Sequence, residues 1–179
     1  MSVAILYYPV TYSPLTDIPA ELGNPVFSPS GALFYNVGIL VSIAPIFVLV
    51  FLQMTIGRRQ TASFDKRGKA FFYLTGIFLL LFAVFYILTL LIPLGINDML
   101  NWEFFLILFS SFQLFAVFSA ASIRRNPGHL RWVPYLGFST ALINTALLMS
   151  LFYAGLVIAN WIIIALSWTY VLNFVYENS

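Results

Sequence analysis

From Pro29 onward the chain is built of long apolar runs separated by short polar interruptions, and the runs are too long for strands. Each holds about 20 mostly apolar residues, the length at which a helix crosses a bilayer. The pattern predicts five helices, at about 29–56, 69–92, 102–124, 131–155 and 159–176. Ser28-Pro29 reads as an N-cap followed by a first-turn proline. The first helix then has about 28 residues, or ~42 Å, and Pro45 in its middle is expected to kink it, leaving the Val41 carbonyl without its usual partner. Turn-forming clusters close the runs: Pro93-Leu94-Gly95 after the second, Asn126-Pro127-Gly128 after the third and Gly155 after the fourth.

Residues 1–28 differ. Pro9, Pro14, Pro19 and Pro25 forbid a long helix there. Thr16 to Gly23 carries the signals of one short turn: Thr16 or Asp17 as N-cap, a proline, an early acid and a closing glycine. The aromatic and aliphatic side chains of this leader, Tyr7, Tyr8, Tyr12, Leu15, Ile18 and Phe27, suit a membrane interface or a seat over the helix ends. Met1 to Val10 lacks the basic start of a cleavable signal peptide.

Composition agrees with the pattern. The chain is 61% hydrophobic and 8% charged, against ~25% charged in a soluble domain, so the expected fold class is an all-α integral membrane bundle of five transmembrane helices with a leader. A net charge of +2 gives no basic docking face for nucleic acid, and none is expected as a partner. With no cysteine, disulfides, thiolate metal sites and thiol nucleophiles drop out.

The charges are distributed unevenly. Arg58, Arg59, Lys66, Arg67 and Lys69 fall between the first and second helices, and Arg124, Arg125 and Arg131 between the third and fourth; the other links have no base. Basic links mark the cytoplasmic side. With five helices the alternation closes: leader extracytoplasmic, C-terminus cytoplasmic, in a multi-pass protein of the cell membrane. Trp102, Trp132 and Trp161 fall at helix starts, where aromatic belts form. The eight bases serve topology and are also candidate contacts for anionic lipid headgroups. The Arg-Arg pairs that open both basic links fit a duplicated hairpin as well as shared topology.

Candidate chemistry is sparse. No ionisable side chain lies in mid-helix, where one would mark a proton or ion path. The helices carry neutral groups instead, among them Asn36, Gln53, Thr75, Ser111, Gln113, Asn144 and Asn173, suited to bonds between helices or to their own turns. Small-residue pairs, Gly38 with Ser42 and Ala141 with Thr145, suit close helix packing. His129 is the lone imidazole, so neither a metal or haem site nor a catalytic triad is expected, and no cofactor. Asp17 and Glu21 are the carboxylates closest to forming a pair; capping and solvation explain them more simply than acid–base work.

Tyr12-Ser13-Pro14-Leu15-Thr16, Glu21-Leu22-Gly23-Asn24-Pro25 and Phe34-Tyr35-Asn36-Val37-Gly38 together resemble the opening of a prokaryotic polytopic membrane family of unknown function, distantly similar to eukaryotic DRAM and Sfk-type proteins. The resemblance implies a six-helix architecture whose leading helix is here missing or shortened to Val3–Val10, and it marks Asn36 and the Leu22-Gly23 turn. Pro19-Ala20 stands where that family tends to carry serine. A bundle short of one helix exposes a flank to other chains. The leading expectation is therefore a non-catalytic accessory or structural subunit with membrane-protein partners and surrounding lipid. The alternative is a lipid-binding or lipid-modifying protein with an outer-face site at Asp17, Glu21 and Asn36; a small-molecule carrier is third.

Overall fold

A computed structural model describes residues 2–9, 11–13, 17, 19–60, 64–93, 95–125, 132–155 and 157–178. Among them every regular element is helical: α1 (Ser2–Leu6), a 3-10 turn (Pro19–Gly23), α2 (Pro29–Gln60), α3 (Lys66–Leu91), α4 (Asp98–Arg124), α5 (Val133–Ala154) and α6 (Ile158–Asn178). Four of these offer stretches long and apolar enough to cross a membrane, Pro29–Phe51, Lys66–Leu91, Asp98–Arg124 and Val133–Ala154; α6 contributes a shorter one, Trp161–Phe174. The chain is thus a multi-pass membrane protein of helical type. Helices satisfy their backbone polar groups internally, which the bilayer interior demands.

Local chemistry sets the helix ends. Ser28 Oγ accepts from the Gly31 N–H at 3.2 Å and donates to the Tyr7 carbonyl at 2.6 Å, so the cap of α2 also ties down the end of α1. Helix α2 continues past the expected stop near 56 to Gln60. A single glycine, Gly57, costs only about 1 kcal/mol, and Arg58 and Arg59 suit the negative end of the helix dipole. Helix α3 starts three residues earlier than expected because Asp65 caps it, accepting from the Gly68 N–H at 2.6 Å. Lys66, Arg67 and Lys69 therefore stand on the first turn of α3 rather than in a loop. Asn97 does the same for α4, accepting from the Leu100 N–H at 3.1 Å and moving its start to Asp98. Gly155, at φ 62°, closes α5 in the left-handed conformation that glycine tolerates.

The helices stack antiparallel in chain order. Helices α3 and α4 share the longest contact, a ladder of aromatic pairs that includes Phe78–Phe118 at 5.4 Å, Phe82–Phe112 at 5.5 Å and Phe85–Phe104 at 5.8 Å. Helix α5 covers α4, and α6 covers α5. At the α4–α5–α6 junction Tyr170 is fully buried against Phe115, and its hydroxyl lies 2.5 Å from Ser119 Oγ. Gly137 makes room for it, since a Cβ there would stand 2.6 Å from the Tyr170 hydroxyl and 2.8 Å from Ala120 Cβ. In lipid, where apolar burial gives helices no reason to associate, close packing and interhelical hydrogen bonds of this kind hold the bundle.

Among the described residues Lys66, Arg67, Lys69, Arg124 and Arg125 gather at one end. Arg125 at the end of α4 reaches Asp65 before α3 at 2.6 Å and lies over the Phe71 ring, 5.5 Å from its centre, so the two basic links meet. The leader, the α3–α4 link and the α5–α6 link occupy the opposite end. There a Cβ on Gly95, at φ 88°, would stand 2.7 Å from the Asn24 side chain.

Candidate functional site

The leader folds down on the non-basic end of the bundle through a small core of its own. Leu22 is fully buried, and with Ala4, Tyr12, Tyr35 and Ile39 it forms an apolar cluster against which Tyr8, Tyr86 and Trp161 pack. The Tyr12 ring meets Trp161 of α6 edge-on at 6.2 Å. One short segment thus touches both α2 and α6.

Below this roof is a cleft of about 120 Å³. Its walls are Tyr35, Asn36 and Ile39 of α2, the Phe82–Leu90 stretch of α3, the Asn101–Phe112 stretch of α4 and Ile163 to Trp168 of α6; Gly23 closes its upper end. Helix α2 rests on α3 and the leader, whereas α6 rests on α5, so α2 and α6 face each other across the cleft without close backbone packing. At its lower end Phe82, Phe112 and Phe115 belong to the main apolar core and seal it.

The lining is apolar with few polar groups, and most of those are already engaged. Asn101 Nδ2 donates to the carbonyls of Thr89 at 3.1 Å and Ile92 at 2.6 Å, joining the end of α3 to the start of α4. Thr89 Oγ1 donates to the Tyr86 carbonyl at 2.7 Å, and Ser167 Oγ accepts from Asn144 Nδ2 at 3.0 Å. Asn36 differs: its Oδ1 is buried with no partner. It lies close to Gly23, where a Cβ would be 3.3 Å from Asn36 Oδ1 and 2.7 Å from Tyr35 Cδ1. A buried amide oxygen without a partner costs on the order of 1–3 kcal/mol. Among the described residues no lysine, arginine, histidine or carboxylate lines the cleft.

The three residues expected at an outer-face site divide between two places. Asn36 lines the cleft. Asp17 and Glu21 belong to the leader, where the Asp17 carboxylate accepts from the Ser13 N–H at 2.7 Å, Tyr12 donates to the Asp17 carbonyl at 3.1 Å and Tyr8 donates to Glu21 Oε2 at 3.3 Å. Burial, then the nearby Asp17, hold the Glu21 carboxyl above the ordinary carboxylate range, and the Tyr8 hydrogen bond partly offsets this. Burial, then the Asp17 and Glu21 carboxylates, push the Tyr12 phenol up as well. The Asp17 and Glu21 carboxylates belong to the leader and are not part of the cleft wall.

Of the candidate headgroup contacts, Lys66, Arg67, Lys69, Arg124 and Arg125 stand at the opposite end of the bundle from the leader, and Arg125 is paired with Asp65. Arg58 and Arg59 belong to the last turns of α2, their side chains outside the described set, and Arg131, His129 and Thr16 lie outside the described residues. Sequence reasoning passed over Tyr35, Tyr86, Phe109 and Ser167 as cleft residues. Tyr35 had one signal, its place beside Asn36. No family model matches the chain, and neither a curated protein nor a solved structure matches it.

Proposed function

We propose that the protein binds a lipid or lipid-like molecule in the cleft between α2 and α6, in a five-pass topology with the leader on the extracytoplasmic face of the cell membrane and the C-terminus in the cytoplasm. The observation that carries this reading is the cleft itself: an apolar hollow inside the lipid-spanning part of the fold, flanked by two helices that do not close on each other. An apolar cavity near this size stays dry and takes up apolar molecules (about 150 Å³ in one engineered example). Walls facing a void lose their dispersion contacts, which an acyl or isoprenoid chain from the surrounding leaflet restores. The orientation rests on the basic residues at one end of the bundle and their absence from the other.

The resemblance to the prokaryotic membrane family belongs to the same proposal. Leu22-Gly23 and Asn36, the positions it marks, come together at the cleft's upper end. Docking as an accessory subunit has no feature of like specificity behind it, because the outward faces of the helices are apolar as lipid requires.

The test places a photo-reactive p-benzoyl-phenylalanine at Phe109, buried in the bundle but lining the cleft, and at Phe115, buried in the core below it. Irradiation in native membranes is expected to yield lipid-mass adducts at 109 and none at 115. Intact protein free of adducts at both positions would overturn the reading.

A further inference from the structure

The polar chemistry of the cleft narrows what occupies it. We infer that the occupant carries an uncharged, hydroxyl-bearing head that hydrogen-bonds Asn36, with its chain leaving between α2 and α6; this rests on the cleft-binding reading above.

The first ground is charge. A head bearing a phosphate, carboxylate or ammonium would enter a lining in which the described residues supply no group of opposite sign, and an unpaired charge at this depth is among the least tolerated arrangements in a membrane. Of the bases that would answer a phosphate, Lys66, Arg67, Lys69, Arg124 and Arg125 stand at the opposite end of the fold.

The second ground is Asn36. No hydrogen bond to its carboxamide is found among the described residues, and its buried Oδ1 is left without a donor. The terminal amide torsion is broad, so a modest rotation away from Gly23 presents that oxygen to the cleft. A ligand that only accepts, such as a ketone, an ester or an ether, leaves it unmet. A hydroxyl donates to it. The phenols of Tyr35 and Tyr86, which also line the cleft and have no partner among the described residues, can donate in return to the hydroxyl oxygen. Thr89, Asn101 and Ser167 each already have a protein partner, Thr89 donating to the Tyr86 carbonyl, Asn101 donating to the carbonyls of Thr89 and Ile92, and Ser167 accepting from Asn144, so Asn36 is the lining side chain with an orphaned buried oxygen.

The third ground is position. Asn36 lies seven residues into α2 from Pro29, about 10 Å along the helix at ~1.5 Å per residue, just under the roof made by Gly23 and Tyr12. A head held there leaves its chain pointing into the hydrocarbon layer.

Three probes with the same C16 diazirine-bearing chain test this on the full chain in nanodiscs: the primary alcohol, its methyl ether and the corresponding carboxylate. Half-saturation of photolabelling is expected at about fivefold lower concentration for the alcohol than for either other probe, the value of roughly one hydrogen bond. Asn36→Leu, which removes an unpaired buried polar atom and is expected to fold, should bring the alcohol to the level of the ether. Ile39→Trp, which fills the cleft, should abolish saturable labelling by all three. Equal half-saturation for alcohol and ether in the unaltered protein overturns the head-group inference while leaving the cleft reading intact. Saturable labelling by none of the probes overturns both, as does labelling that survives Ile39→Trp unchanged.

Discussion

Gly23 lies so close to the Tyr35 ring that any side chain at position 23 would start 2.7 Å from Tyr35 Cδ1. The leader is seated on α2 through this contact and through Leu22 beside it. Gly23→Ala must push the ring or lift the turn, at a cost of about 1–3 kcal/mol, the usual range for overpacking. A lower melting temperature in nanodiscs and faster protease cleavage within the leader are expected; unchanged values of both would show that the leader does not depend on this contact.

Glu21 makes leader docking pH-dependent, with a definite sign. Its carboxyl is held above the ordinary value of 4.5 in the folded protein, so the folded state binds the proton more tightly than the unfolded chain does. The penalty is absent below that ordinary value, grows as pH rises through the raised one and is complete above it. Protection of the leader amides, taken relative to the intrinsic exchange rate at each pH, should therefore rise on acidification from neutral pH through that window. Glu21→Gln should show the higher protection already at neutral pH and lose most of its pH dependence. Lower protection on acidification in the unaltered protein would contradict this sign.

Gly137 and Tyr170 form a coupled pair at the α4–α5–α6 junction. A methyl group at 137 would collide with the Tyr170 hydroxyl, while that hydroxyl is also held by Ser119. Tyr170→Phe alone should cost about 0.5–1.5 kcal/mol, the net value of one hydrogen bond. Gly137→Ala should cost more in the unaltered protein than in the Tyr170→Phe background, by at least about 0.5 kcal/mol. A double-mutant cycle on unfolding free energy reads this directly, and additive costs would rule the coupling out.

Asp65 does two things that differ in weight. One oxygen caps α3 at Gly68; the other meets Arg125, with the two side chains 54% and 35% exposed. Exposed ion pairs contribute about 0–1 kcal/mol, whereas removing a cap costs about 0.5–2 kcal/mol. Asp65→Ala should therefore destabilise more than Arg125→Gln, and Asp65→Asn, which keeps a cap, should fall near Arg125→Gln. Thermal melts of the three variants decide it, and equal losses for Asp65→Ala and Arg125→Gln would assign the weight to the ion pair instead.

What could be read from the residues in order was what local chemistry controls. Ser28 and Gly155 mark helix ends by capping and by a left-handed turn, and both are found doing so. The grouping of Arg125 with the start of α3 followed from charge alone. The early start of α3 was missed because Asp65 lies inside a basic stretch that draws attention to its charge rather than to its capping oxygen. The cleft was not legible. Helices apolar on every face give no periodicity to say which side packs, so nothing in the order of residues tells that α2 and α6 stay apart or that Phe109 and Ser167 face a hollow. Asn36 stood out as a polar group in an apolar run, but its lack of a partner is a property of the assembled bundle.

The leader over the cleft and Phe112 at its lower end put the proposed way in at the side, between α2 and α6. Under the binding proposed above, a molecule reaching Asn36 by that seam would first have dissolved in the leaflet and would arrive by moving sideways within it. Its effective concentration would then be counted per area of membrane rather than per volume of water.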